Sequence, residues 1–402
     1  MKKTPVFLIV LVSIIALGIR LYFLFKPGYA NDIQAFLEWG GRINKDGFWS
    51  LYGGDFYKTN GIDYPFLIPL ITSLWLNIGS SIKDPEAIKT FFKVLPTLGE
   101  IALILVSSFA VYRSKAKYKW WLIILIILSP GLALVSSAWG QVDSIMTLFI
   151  LLGFIFERKN KYLATIFFFL SLITKPQAAI AVLVYYLYLL SKKKYQDFFK
   201  QFFFMMILMS VFYAIFFYLG QSNFFSTYIN SVGRYKYLSL YAFNLWWLLK
   251  GMKCWYIMDD AGAVISHKTA GLILFTLFEV PAIIYIFKKT RTLAEILLVT
   301  AYSYLVFFIF PTEMHERYLY IGAALMAVPA IINKKILLIY ILLSITFLIN
   351  IFLVLQTTFP QFEFFQGNLM GEFFTRSVSF VNVATVIYLM LYLYYDGFKK
   401  SV

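Results

Sequence analysis

The chain has 402 residues, 61 % apolar, 20 % aromatic and only 14 % charged, with a mean hydropathy of +0.75, whereas an ordinary soluble domain is about 25 % charged. No globular core hides that much apolar surface, so lipid covers part of it; a soluble enzyme, a nucleic-acid-binding protein and a disordered scaffold are excluded. The net charge of +16 must then be placed relative to a bilayer, while a single cysteine, Cys254, and two histidines, His267 and His315, exclude an internal disulfide and a Cys-based zinc or iron–sulfur site and leave little room for a multi-histidine one.

A spanning helix needs ~20 mostly apolar residues. Such runs are predicted at about 5–25, 94–112, 120–138, 143–157, 162–174, 177–190, 202–220, 268–287, 293–310, 317–332, 335–355 and 377–395. The first follows Lys2 and Lys3, lacks a small-residue cleavage site and precedes further spans, so it is expected to be an anchor and not a removed signal peptide. Residues 64–82 are also apolar enough to cross. A crossing there would move every later Lys-rich loop to the other side. They are therefore expected to form a re-entrant or half-buried helix within a long first outer loop, 26–93, and Pro65 and Pro69 suit a broken membrane helix. Segments 221–267 and 356–376 are expected as second and third outer loops with short helices. One membrane domain covers 1–402.

With the N-terminus inside, the inner segments carry Lys2, Lys3; Arg113, Lys115, Lys117, Lys119; Arg158, Lys159, Lys161; Lys192, Lys193, Lys194, Lys200; Lys288, Lys289, Arg291; Lys334, Lys335; Lys399 and Lys400. Their acids are few: Glu157, Asp197, Glu295 and Asp396. Every inner segment is basic, so the basic balance reports orientation, with both termini cytoplasmic and no nucleic-acid partner. Glu100 and Glu279 fall within spans, where a carboxylate is expensive unless paired.

The outer face collects polar groups from distant parts of the chain: Asn31-Asp32, Asp63-Tyr64-Pro65, Trp139-Gly140-Gln141-Val142-Asp143, Thr174-Lys175-Pro176-Gln177 and His315-Glu316-Arg317-Tyr318. Such convergence suggests a site facing outward. No nucleotide-binding motif is present, and no internal repeat supports an inverted-repeat transporter. Phe243-Asn244-Leu245-Trp246-Trp247 is expected as an interfacial aromatic anchor, and Trp39, Trp139 and Trp246 as packing or anchoring residues.

These motifs, in this order, resemble the GT-C integral-membrane glycosyltransferases, especially prokaryotic relatives of the second mannosyltransferase of GPI-anchor synthesis. The resemblance rests on Gly18-Ile19-Arg20-Leu21, Asn31-Asp32, Trp39-Gly40, Gly47, Leu51-Tyr52, Asp63-Tyr64-Pro65, Ser129-Pro130, the Trp139–Asp143 and Thr174–Gln177 motifs, Asn244-Leu245-Trp246 and His315–Tyr318. It covers about residues 15–320. Phe66 stands where a second proline is usual, and Asp32 is a single acid where some relatives carry two. The resemblance implies an all-α polytopic bundle of about 11–13 transmembrane helices in a prokaryotic plasma membrane, with horizontal or re-entrant helices on the first outer loop. It also implies a polyprenyl-phosphate sugar donor, with a mannose-like hexose favoured, and a lipid-linked, polymeric or protein acceptor. Nucleotide sugars are cytoplasmic, and the candidate residues lie on the other side.

Transfer to a hydroxyl needs a base on the acceptor and charge stabilisation on the leaving group. Polyprenyl phosphate leaves well, so one carboxylate and a cationic cluster suffice, and neither a cofactor nor a metal is expected. Asp32 is the candidate base; a helix N-cap is its structural alternative. Arg317, His315, Lys175 and Arg20 are the candidate phosphate contacts, because guanidinium matches phosphate oxygens bidentately. Arg20 and Arg317 have snorkelling as the alternative, and Lys175 is expected to meet a phosphate or a carboxylate such as Asp143. Asp63, Tyr64, Gln141, Asp143, Gln177 and Glu316 are candidate positioning residues for sugar or acceptor. Asp63 and Asp143 are alternatively helix caps, and Glu316 is expected to orient Arg317. The competing function is a polytopic transporter or lipid-linked glycan flippase.

Overall fold

The computed structural model describes residues 4–398 apart from 29, 48–49, 54–61, 63, 220–222, 224–225, 231–234, 256–259, 261–263 and 359–370. It is an all-α polytopic membrane protein. Seven helices among the described residues are long and apolar enough to cross a bilayer, and five shorter apolar helices accompany them. In chain order the first elements are α1 (Thr4–Leu24), α2 (Ala30–Asp46), α3 (Leu67–Ile78), α4 (Pro85–Tyr112), α5 (Lys119–Leu128) and the single turn α6 (Pro130–Ala133), which runs into a π-helical turn at Leu134–Trp139. Then come α7 (Asp143–Phe156), α8 (Lys161–Leu172), a 3-10 turn at Pro176–Ala178, α9 (Ala179–Ser191), α10 (Tyr195–Tyr218) and the short α11 (Ser226–Asn230). The remainder is β1 (Ser239–Leu240), α12 (Leu245–Lys250), α13 (His267–Lys288), α14 (Leu293–Ile309), β2 (Met314–His315), α15 (Leu319–Leu325), α16 (Lys334–Thr358) and α17 (Glu372–Phe398).

Helix starts follow capping chemistry. Asp84 precedes Pro85 and accepts a hydrogen bond from the Ala87 amide at 2.7 Å, which caps α4. Asn160 caps α8 through the Leu163 amide, and Thr292 with Glu295 forms a capping box at α14. The predicted span 94–112 in fact starts about two and a half turns before its apolar run, at Pro85, because of the Asp84 cap. The predicted span 317–332 is corrected: a 3-10 turn at Glu316–Tyr318 precedes α15, and Pro329 opens a further 3-10 turn in place of a continuous helix.

The chain divides into two compact units, residues 1–19, 104–135 and 235–402, and residues 20–103 and 136–234. In the second, α2 is amphipathic. Ile33, Phe36, Trp39 and Ile43 form its buried stripe and join Leu51, Tyr52, Phe66, Phe92, Val142 and Phe216 in one apolar cluster. Phe36 stacks on Phe92 with ring centroids 5.4 Å apart. α3 lies against α2 so closely that a Cβ on Gly40 would stand 2.8 Å from Thr72 Cγ2 and 2.9 Å from the Ser73 amide. Asn44 and Ser73 exchange hydrogen bonds across the same contact. With 12 residues α3 rises about 18 Å, less than the ~30 Å hydrocarbon core.

In the other unit α14 is buried on nearly every side. β1 and β2 pair in parallel, Ser239 opposite Met314 and Leu240 opposite His315. Asn350 accepts from the Phe243 amide and donates to the Tyr241 carbonyl, and Asn382 donates to the Phe243 carbonyl. The Phe243–Trp247 motif is therefore corrected from an interfacial anchor to an interior staple: Phe243 and Trp247 are fully buried, and Trp246 donates to the Phe310 carbonyl at 2.8 Å.

Candidate functional site

The candidate residues fall into two clusters, one in each unit. In the unit of residues 20–103 and 136–234, Asp32 lies in the first turn of α2, half-buried. Its Oδ2 accepts hydrogen bonds from Trp139 Nε1 at 2.9 Å and Gln141 Nε2 at 2.5 Å. Gln141 Oε1 in turn accepts from the Tyr64 hydroxyl at 3.0 Å, and the Tyr64 carbonyl accepts from the Tyr52 hydroxyl at 3.0 Å. A chain of donors thus aims at one carboxylate oxygen. Asp32 Oδ1 accepts no hydrogen bond from a described residue. The N-cap alternative is corrected: the helix begins before Asp32, and the carboxylate is spent on Trp139 and Gln141.

Backbone geometry makes this possible. The π-turn delivers Trp139 to the surface of α2. Gly140 follows with φ +89°, a region that L side chains rarely adopt, and turns the chain so that residues 139 and 141 both reach Asp32. Asp143 then opens α7. It is not the cap of that helix, since Val142 occupies the N-cap position. Instead Asp143 Oδ1 pairs with Lys175 Nζ at 2.8 Å, with both side chains almost fully buried. Lys175 also lies over the Tyr64 ring, 5.2 Å from its centroid. Asp143 Oδ2 is buried without a hydrogen-bond partner among the described residues. Gln177 sits in the adjacent 3-10 turn, half-buried.

Arg20 is corrected. It neither snorkels nor stands ready for a phosphate; it is 3 % exposed and donates to Glu100 Oε1 at 2.6 Å. Glu100 is the carboxylate that the sequence places within a span, and this is the partner such a charge needs. The Asp63 expectation lies outside the described residues. The N-cap of α3 is Phe66 and makes no side-chain cap bond.

The second cluster belongs to the other unit. The β1–β2 pair and a bridge from Tyr241 to His315 hold the 311–318 segment. Arg317 Nη1 lies 3.3 Å from Glu316 Oε1 and 3.4 Å from His315 Nδ1. His315 is flanked edge-on by the rings of Tyr235 and Tyr318, at 5.2 and 5.3 Å. Glu316 is buried, whereas His315 and Arg317 keep 14 % and 12 % exposure. Glu316 thus orients Arg317, as its sequence position suggests. Burial, with the Glu316 charge second, pushes the Tyr241 phenol above its ordinary range. Asp260 accepts from the amide and Nδ1 of His267, at 2.9 and 2.6 Å. Those bonds hold its carboxyl below the usual range.

Two residues of the first cluster escape sequence reasoning. Trp139 reads as packing, yet its indole N–H is a donor to Asp32. Lys93 reads as a loop residue just before a span, yet it is fully buried within α4, and its ammonium donates to the Phe23 carbonyl at 3.0 Å and to the Lys26 carbonyl. The signal that finds it is the apolar period Ile88, Phe91, Phe92, Leu95, which continues the helix upstream. No protein-family model matches the chain, and a search of curated proteins returns no match.

Proposed function

We propose that the protein is an integral-membrane glycosyltransferase of GT-C type, moving a hexose from a polyprenyl-phosphate donor to an acceptor hydroxyl on the extracytoplasmic face. The observation that carries this reading is the Asp32 carboxylate. One oxygen is clamped by Trp139 and Gln141, and the other accepts no hydrogen bond from a described residue. Two donors on Oδ2 fix the rotamer and leave Oδ1 to take a proton, as a positioned base requires. The ordered resemblance of the motifs and the basic inner loops support the same reading.

In the reaction, the acceptor hydroxyl gives its proton to Asp32 Oδ1 while its oxygen attacks the anomeric carbon. The bond from that carbon to the phosphate oxygen breaks, and its electron pair leaves with polyprenyl phosphate. A single displacement inverts the anomeric centre. Arg317, with Glu316 beside its guanidinium, and His315 remain the candidate phosphate contacts, and both belong to the other unit. Lys175 and Arg20 are withdrawn from that role because each is matched to a buried carboxylate, Asp143 and Glu100. Tyr64 and Gln141 position the base, and Asp143 positions Lys175 beside the Tyr64 ring.

The test is purified protein in lipid nanodiscs with a panel of polyprenyl-phosphate hexoses and candidate acceptors, monitoring release of polyprenyl phosphate. Release with one sugar supports the reading. No release with any donor, together with movement of lipid-linked glycan across reconstituted vesicles, would replace it with the flippase reading.

A further inference from the structure

Lys93 is a costly residue. Its side chain is 0 % exposed, and no carboxylate lies within ion-pair distance among the described residues. An unpaired buried ammonium costs several kcal/mol unless dipoles replace water around it. Here the replacement is the end of α1. Phe23 offers a carbonyl from the last turn of α1, which also accepts the Lys26 amide at 3.2 Å, and Lys26 offers one from two residues past the helix end, where the dipole is negative.

The stem of the same side chain touches the base's surroundings. A Cβ on Gly28 would clash with Ile33 Cδ1 and stand 3.0 Å from Lys93 Cδ and 3.3 Å from the Trp139 carbonyl. A Cβ on Gly140 would stand 3.1 Å from Lys93 Cγ and 3.0 Å from Ile33. Ile33 is the neighbour of Asp32, and Gly140 separates Trp139 from Gln141, the two donors on Asp32. One lysine therefore packs beneath the entry to α2 and beneath the turn that carries both donors, while its head ties off α1. A reciprocal contact sets the register: Arg20 on α1 donates to Glu100 on α4. Glu100 lies seven residues beyond Lys93, about 10 Å along α4. The two cation contacts run in opposite directions between α1 and α4, so the end of α1 can neither slide nor tilt without breaking one.

We propose that Lys93 is a positioning residue for Asp32: it locks the α1 terminus and the Gly140 turn in the one arrangement that places Trp139 and Gln141 on the carboxylate. The proposal rests on Asp32 being the base. Lys93→Met keeps the stem and removes the ammonium. Freed carbonyls let the α1–α2 connection shift, and a displacement near 1 Å costs on the order of 10²-fold in turnover. The donor phosphate contacts belong to other residues, so the donor KM stays within about threefold.

The experiment uses the full chain in nanodiscs and two readouts, steady-state kinetics and hydrogen–deuterium exchange of peptides covering 25–34 and 138–143. Lys93→Met is expected to lower kcat about 10- to 100-fold with donor KM unchanged, and to speed exchange in both peptides. Gly28→Ala, which keeps the ammonium and presses on Ile33 as well as on the Lys93 stem, is expected to do the same, and it carries the test of the packing beneath α2 if Lys93→Met fails to fold. Wild-type exchange in the folded variants overturns the clamp. Faster exchange with wild-type kcat overturns its coupling to Asp32. If the wild-type protein releases no polyprenyl phosphate, the glycosyltransferase reading fails and the positioning of a base falls with it, while exchange still decides whether Lys93 ties the two segments.

Discussion

Replacing Asp32 by Asn and by Ala separates a base from a mere structural acceptor. The Asn carbonyl can keep both hydrogen bonds, from Trp139 Nε1 and Gln141 Nε2, since these meet a single oxygen, Oδ2. What is lost is their charge assistance, so stability should fall by only about 1 kcal/mol. Ala strands two donors in a half-buried setting at about 1–3 kcal/mol each, a total of about 2–6 kcal/mol. Turnover has the opposite sensitivity. Asn cannot take the acceptor's proton, so kcat should drop ~10²–10⁴-fold, about 3–5.5 kcal/mol in activation free energy. Asp32→Glu should recover little, because an added methylene moves the carboxylate by about an ångström. Thermal unfolding in nanodiscs and release of polyprenyl phosphate are measured on the same preparations. A stable Asp32→Asn protein with near-normal turnover, beside an unstable Asp32→Ala, would refute the reasoning and leave Asp32 as a brace for the Gly140 turn.

Other expectations follow from individual contacts. Gly40→Ala should destabilise by about 1–3 kcal/mol, because its Cβ would press on Thr72 and the Ser73 amide, whereas Gly41→Ala, with nothing within 4 Å, should stabilise by up to about 1 kcal/mol; unfolding midpoints of the pair check this. Arg317→Ala should weaken donor use by about tenfold to a hundredfold and Arg317→Lys should rescue only partly, since an ammonium cannot make the paired phosphate contact; unchanged kinetics would leave Arg317 as a packing residue. Cys254 is buried, and burial pushes its thiol up to about 12, so an impermeant maleimide should not label the wild-type chain in intact cells. Against that silent background Ser81→Cys should label and Lys117→Cys should not, and the reverse pattern would invert the proposed topology.

Much of the fold is legible because lipid leaves few choices. An apolar run of spanning length must close its own backbone hydrogen bonds, so helices cover the predicted apolar runs apart from 317–332. The failures come where local chemistry overrides hydropathy. Asp84 and Pro85 start α4 among charged residues that a hydropathy window discards. Pro329 interrupts an apolar run that a window accepts. The Phe243–Trp247 motif has the composition of an interfacial belt, and only the amides of Asn350 and Asn382, over a hundred residues away in the chain, reveal that its backbone is satisfied inside the protein.

The site was legible in its residue types and only partly in its pairing. Asp32, Gln141, Asp143 and Lys175 stand out as polar groups at the ends of apolar runs, and Asp143 is one of the partners the sequence offers Lys175, but nothing in one dimension chooses that carboxylate over a phosphate or pairs Arg20 with Glu100. Burial decides it. A charge held in a membrane protein's interior must find a counter-charge or a helix end, so Lys175 takes Asp143, Arg20 takes Glu100, and Lys93, left without a carboxylate, takes carbonyls at the end of α1. These assignments remove two cations, Lys175 and Arg20, from the candidate phosphate contacts. They leave Arg317 and His315, both still partly exposed, as the cationic groups of the recognised motifs able to meet an incoming anion. Asp32 is held differently: among the described residues its carboxylate meets two neutral donors and no cation at ion-pair distance, so it is oriented by hydrogen bonds and not by a counter-charge.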